Sequence, residues 1–175
     1  ELSKTWFALR MATSSDEQDW QVSEREGHVR LKTGRIGLIG SIDASAPIVG
    51  GQASWGAEQV SLVLKLAINE VKAGNALLDS AARRLVSSGS DGVLTFEGSG
   101  DATGGAVTLD GHAWAGDVNV AMVVKCDAPV DVDDETRELQ ISGTATFDNV
   151  KIPLPGFGKV NSIDIEVVGM LSLSR

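Results

Sequence analysis

One cysteine among 175 residues, Cys126, rules out an internal disulfide and leaves no thiol cluster for zinc. Two histidines, His28 and His112, are all that imidazole-dependent catalysis has to draw on. Positive charge is scarce: 15 Lys and Arg stand against 24 Asp and Glu, for a net charge of −9 and a pI near 4.6. Such a surface repels phosphate backbones and anionic bilayers at long range, so nucleic acid is not an expected partner. No apolar run is long enough to span a bilayer, and Arg10 interrupts the only candidate signal core, so stable membrane insertion is not expected either. A mature secreted form, a cytoplasmic protein and a domain cut from a longer chain would all share these features, and Glu1 in place of a starting Met points to a processed or excised piece. Four prolines against 20 glycines favour tight turns and bent strands over long helices. A chain of this length buries a substantial core as one domain, and all-β is the class its composition favours.

What is present is alternation. In the stretch Gln59 to Val71, Val60, Leu62, Leu64, Leu66 and Ile68 fall on one side of an extended chain, while Ser61, Lys65 and Asn69 fall on the other. A helix would leave no coherent polar half there. The same period of two recurs in His28 to Lys32, Ile36 to Ile42, Val93 to Glu97, Val107 to Asp110, Val118 to Lys125, Leu139 to Asp148 and Ile163 to Leu173. Residues 1–18 are polar and irregular apart from Trp6, Phe7 and Leu9, and are expected to form an arm or linker ahead of a single barrel domain over 19–175. One helix is predicted over Ala76 to Val86, where Leu78, Ala81, Ala82 and Leu85 form a stripe and Asn75 or Asp79 supplies the cap. About eight or nine strands with short turns and one helix describe an antiparallel sheet closed on itself, because closure removes edges that long apolar strands cannot leave exposed. In the inward register Gly40, Gly111, Ala113, Gly143, Ala145 and Gly169 replace larger residues. Either they leave space inside a barrel that is just wide enough for one ligand, or they relieve strand coiling at barrel corners.

The order of these segments resembles the YceI-like polyisoprenoid-binding proteins. The likeness rests on the strand Ser61 to Ile68 followed by Gly74-Asn75, Asp79, Arg83-Arg84-Leu85 and Val93-Leu94-Thr95-Phe96; on Gly105 to Gly111; on Leu139 to Phe147; and on the last strand. It covers Trp20 to the C-terminus. Asp148 to Pro153 stands where the family often has Arg-x-Asp-Phe-Gly, and the family's His-Ser pair near the first strand is missing, with His28 only nearby, so the family's usual polar contacts to a ligand head do not carry over to this chain from the resemblance. The resemblance implies an antiparallel, eight-stranded, lipocalin-like barrel with one short helix between strands, a non-enzymatic role in binding, carrying or storing a long apolar lipid such as a polyisoprenoid, quinone or fatty acyl derivative, no other cofactor, and a periplasmic or secreted setting. Pairing of two barrels into a homodimer is left open.

The channel is expected to be lined by Leu62, Leu64, Leu66, Ile68, Leu94, Phe96, Val120, Met122, Ile141, Ala145, Ile165, Val167 and Leu171, with Arg83 and Arg84 beside the mouth as a basic pair for a charged head group. Other candidates for chemistry have simpler explanations. His28 and His112 lie in the outward register without a metal-binding spacing. Cys126 lacks a base and an oxyanion site. The loop Gly98 to Gly105 is followed by no helix or P-loop Lys and reads as a hairpin. Asp127, Asp131, Asp133, Asp134 and Glu135 lack the calcium-loop spacing and read as a solvated hairpin tip. The competing reading is a filled barrel acting as a structural or protein-interaction module of a larger extracytoplasmic protein.

Overall fold

A computed structural model describes residues 17–35, 40–76, 78–80, 83, 92–102, 104–116, 118–151 and 159–175, with backbone alone at 149–151 and 159–160. Its strands are β1 (Gln18–Thr33), β2 (Asp43–Ala46), β3 (Ile48–Trp55), β4 (Gln59–Ala67), β5 (Val93–Asp101), β6 (Val107–Ala115), β7 (Val118–Cys126), β8 (Val130–Asp131), β9 (Thr136–Lys151) and β10 (Lys159–Ser174). The sheet runs β10-β1-β3-β4-β5-β6-β7-β9, and β9 pairs again with β10, so eight antiparallel strands close into a barrel. The two-residue β8 adds to β9, and β2 to β1. This is the fold expected from the alternation. Closure leaves no long strand edge on the ring, which is why so many valine- and leucine-rich strands can coexist in one chain.

Local chemistry shapes the long first strand. Ser23 Oγ accepts hydrogen bonds from the backbone N–H groups of Arg25 and Glu26, and the register against β10 slips between Val22 and Gly27. Gly27 closes this bulge at φ +98°, where a β-carbon would lie 2.5 Å from the Met170 carbonyl oxygen, so only glycine fits. Facing β1, Pro47 divides what would be one strand into β2 and β3; its carbonyl still accepts from the Ala67 N–H at 3.0 Å.

The apolar alternation of β4 runs one residue beyond the strand. β4 ends at Ala67, and Ile68–Glu70 is a 3-10 turn, held where the Ile68 N–H donates to the Gly92 carbonyl. Ile68 and Val71 are buried beneath it, and Lys72 pairs with Ser45 in both directions. The expected helix begins as drawn: Asn75 Oδ1 accepts from the Leu78 N–H at 2.9 Å, and Ala76, 78–80 and Arg83 are helical. Asp79 does not cap this helix; its carboxylate accepts the Ala73 N–H. Positions 77, 81, 82 and 84–86 of that helix, residues 1–16 of the arm and residues 36–39 of the strand expected over Ile36 to Ile42 lie outside the described residues.

With alternate strands antiparallel, the connections after β1, β4, β6 and β9 gather at one end of the barrel, and those after β3, β5 and β7 at the other. The first is the open end of the barrel and the second the closed end. Trp20, Val60, Val107, Leu109, Cys126, Leu139, Leu171 and Leu173 fill the closed end. Trp20 is covered from outside by two guanidinium groups, Arg137 at 4.7 Å and Arg175 at 4.8 Å from its ring centroid.

An apolar cavity in the open half of the barrel

The strand period decides which side chains meet inside. Val60, Leu62, Leu64 and Leu66 of β4 all point inward, as do Met122, Val124 and Cys126 of β7 and Leu139, Ile141 and Ala145 of β9. Toward the open half lies a cavity of about 30 Å³ whose lining has no polar surface; Leu64, Leu66, Phe96, Met122, Ile141 and Val167 are among the residues of its wall. Such a cavity has room for a solvent molecule or two but offers them no hydrogen-bond partners, so it stays dry.

Of the expected channel residues, Leu64, Leu66, Leu94, Phe96, Met122, Ile141 and Val167 meet around this cavity. Ala145 and Ile165 are buried opposite each other on β9 and β10, and Val120 is half-buried toward the open end. Leu62 and Leu171 sit in the tightly packed closed half, and Ile68 lies in the 3-10 turn. Leu31, Ala113 and Val124 also line the cavity and were not among the expected residues. Their signal was available, since Leu31 and Val124 follow the same period-two alternation as their neighbours.

The glycine question has a geometric answer. A β-carbon at Gly143 would lie 2.9 Å from Met122 Cε, and one at Gly98 would lie 2.6 Å from Phe96 Cζ. The recesses left by these glycines are occupied by the protein's own Met122 and Phe96. At Gly111, paired with Gly98 across β5 and β6, a β-carbon would lie 2.1 Å from the Glu97 carbonyl oxygen, and at Gly169 one would lie 2.8 Å from that of His28. These two allow strands to approach closely. Gly40 lies outside the barrel strands at φ +84°, with nothing near its β-carbon position.

Arg83 is tied to the framework, its Nε donating to the Val71 carbonyl at 3.2 Å, which fixes the helical segment against the chain leaving β4. Arg84 lies outside the described residues. His28 and His112 are on the barrel's outer surface. His28 borders a hollow of about 220 Å³ with Lys125, Asp127 and Gln140, and His112 borders one of about 350 Å³ with Glu97, Asp110 and Trp114. Among the described residues no group of three His, Cys, Asp or Glu side chains is placed to hold a metal ion. No described helix is long and apolar enough to cross a membrane. Burial pushes the Cys126 thiol up to about 12, with the neighbouring Asp127 charge adding to the shift, so it is not a thiolate nucleophile. In the acidic tip, Asp131 pairs with Arg137 at 2.5 Å, and Asp133 is held below the usual carboxylate range, chiefly by the Glu135 N–H it accepts.

A lipocalin-like barrel with a dry interior is the class these features define. BcnA of Burkholderia cenocepacia has the same fold, with a TM-score of 0.55 at 10% identity over 85% of this chain and 98% of that one. A polyisoprenoid binding domain from Saccharophagus degradans, implicated in plant cell wall breakdown, superposes with a TM-score of 0.52 at 7% identity over 89% of this chain and 97% of that one. The chain therefore shares the barrel fold of these two proteins. No family model and no curated protein matches it in sequence.

Proposed function

We propose that this barrel binds a long apolar molecule, a polyisoprenoid, quinone or fatty acyl derivative, in its open half, without catalysis and without a further cofactor. The observation that carries this reading is the wholly apolar cavity beneath the half-buried Leu94, Val120 and Phe147. Similarity in fold to a polyisoprenoid-binding domain supports it. At about 30 Å³ the cavity must widen to admit such a chain, and its wall contains the side chains able to yield: Met122, unbranched and adaptable, and Leu64 and Leu66 on one strand. Each methylene moved from water into this interior contributes about 0.8 kcal/mol, so affinity grows with ligand length and needs no elaborate polar site. Carriage between a donor and an acceptor, and a periplasmic or secreted setting, belong to the same proposal.

The small cavity and the filled glycine recesses favour a second reading, a filled barrel serving as an interaction module. Mass spectrometry of organic extracts from the purified protein separates the two. A co-purifying lipid lost on Leu66→Arg or Ala145→Trp, in variants that keep the strand circular-dichroism spectrum, supports the first reading. A clean protein that also takes up no long-chain fatty acid in vitro supports the second.

A further inference from the structure

The barrel wall is not sealed equally all round. β9 and β10 pair along their whole length, from Thr136 opposite Ser174 to Lys151 opposite Lys159. Their outer partners stop much earlier. Among the described residues, β7 holds β9 only from Ile141 to Ala145, and β1 holds β10 only as far as Ile165, with one more bond from the Gly34 N–H to the Asp164 carbonyl. Residues 146–151 and 159–164 thus form a two-stranded ribbon at the open end that has no further ladder partner among the described residues. β7 itself runs on from Ala121 to Val118, paired there with β6 alone among the described residues.

The ribbon has two unlike faces. Phe147 stands opposite Ile163 on its inner face; Ile163 is only 4% exposed and Phe147 is half-buried against the core. On its outer face the Thr146 hydroxyl donates to Asp164 Oδ1 at 2.7 Å, and Ser162 stands opposite Asp148. A two-stranded ribbon is marginal in water by itself, so the packing of Ile163 and Phe147 is what keeps it down. Its base, Ala145 opposite Ile165, adjoins Met122 of the cavity wall across the last β7–β9 pair.

We infer that the ribbon is a flap and that apolar ligands enter sideways, between the edge of β7 at Val118–Ala121 and the ribbon's edge at Thr146–Asp148. This rests on the proposed lipid binding. Lifting the ribbon breaks no β7–β9 ladder bonds above Ala145 and exposes Val120, Met122 and Phe147 as a continuous apolar sill leading to the cavity. Among the described residues the ribbon is the longest stretch of wall without a ladder along either outer side, and the flap is thereby the part of the wall that moves at least cost.

A cross-link across the seam tests the route. Continuing the register of Met122 opposite Ala145 sets Asn119 opposite Asp148, both exposed, and the buried Cys126 stays out of the chemistry. In the Asn119→Cys/Asp148→Cys variant, uptake of a fluorescent C18 polyene fatty acid should slow by about tenfold or more when the disulfide is closed and recover on reduction, as expected when a lid gates access. Equal rates in the closed and reduced forms overturn the flap. Amide hydrogen exchange of the unmodified protein gives an independent reading: the amides of 118–121 and 146–148 should exchange much faster than those of Met122–Cys126, and equal protection means the seam is shut. Absence of uptake by the reduced variant and the unmodified protein alike overturns the lipid reading and the portal with it, whereas uptake with a protected seam overturns the portal alone.

Discussion

The two halves of the barrel are made from the same strands with the same alternation, yet they differ in how completely they are packed. At the closed end Leu109 and Leu171 are 0% exposed, and Trp20 lies beneath two arginines. Toward the open end Leu31 and Val167 retain 8% exposure, and Leu94, Val120 and Phe147 are half-buried. Leu139, Leu171, Leu173 and Trp20 converge at one end, while Ala113, Ala115 and Ala145 occupy inward positions at the other. The cavity and the ribbon with fewer ladder partners both belong to the open half.

That contrast can be broken by measurement. Leu109→Ala should cost about 4 kcal/mol in urea unfolding and Leu64→Ala about 2 kcal/mol, because a side chain beside an existing cavity loses fewer contacts. Equal costs would mean that the halves are packed alike. Alkaline titration sharpens the comparison from inside the closed end. The Cys126 thiol ionises near 9 when unfolded and near 12 when folded, so between those values the unfolded chain loses a proton that the native chain retains. Stability should therefore be unaffected by this group below pH 9 and fall above it by up to about 1.4 kcal/mol per pH unit. Cys126→Ala should remove that component of the slope, and rapid labelling of the wild-type thiol at pH 8 without unfolding would show that the closed end admits reagent. The smallest effect is expected at the cover of Trp20: Arg137→Ala and Arg175→Ala should each cost about 1 kcal/mol or less in the same unfolding measurement, with a red shift in tryptophan emission as the ring gains water.

Much of this architecture was legible in the chain. The inward sets of β4, β7, β9 and β10 followed from alternation alone, and Asn75 was a readable helix cap. What alternation could not give was where a strand stops. Ile68 continues the apolar pattern of β4, but a bond from its N–H to Gly92 turns the chain into a 3-10 helix, and that partner is remote in sequence. The bulge at Ser23–Gly27 was hidden for a similar reason, since it depends on Met170 approaching from β10. The glycines told where β-carbons were missing and were silent about which neighbour leans into the gap; Met122 beside Gly143 is a tertiary fact. The cavity's identity was thus readable in outline and its volume was not.

The first and last strands meet at the closed end, with Gln21 opposite Ser174 and Arg175 Nη2 donating to Gln18 Oε1 at 3.4 Å. The barrel's two points of attachment are therefore side by side and on the side away from the mouth. A tether, a fusion partner or a surface linkage joined at either point leaves the flap unobstructed, and a short peptide between residues 175 and 17 would close the backbone into a circle. New ends cut into the acidic tip at 132–135 would then give a permuted chain in which the ring and the ribbon keep every strand pairing among the described residues.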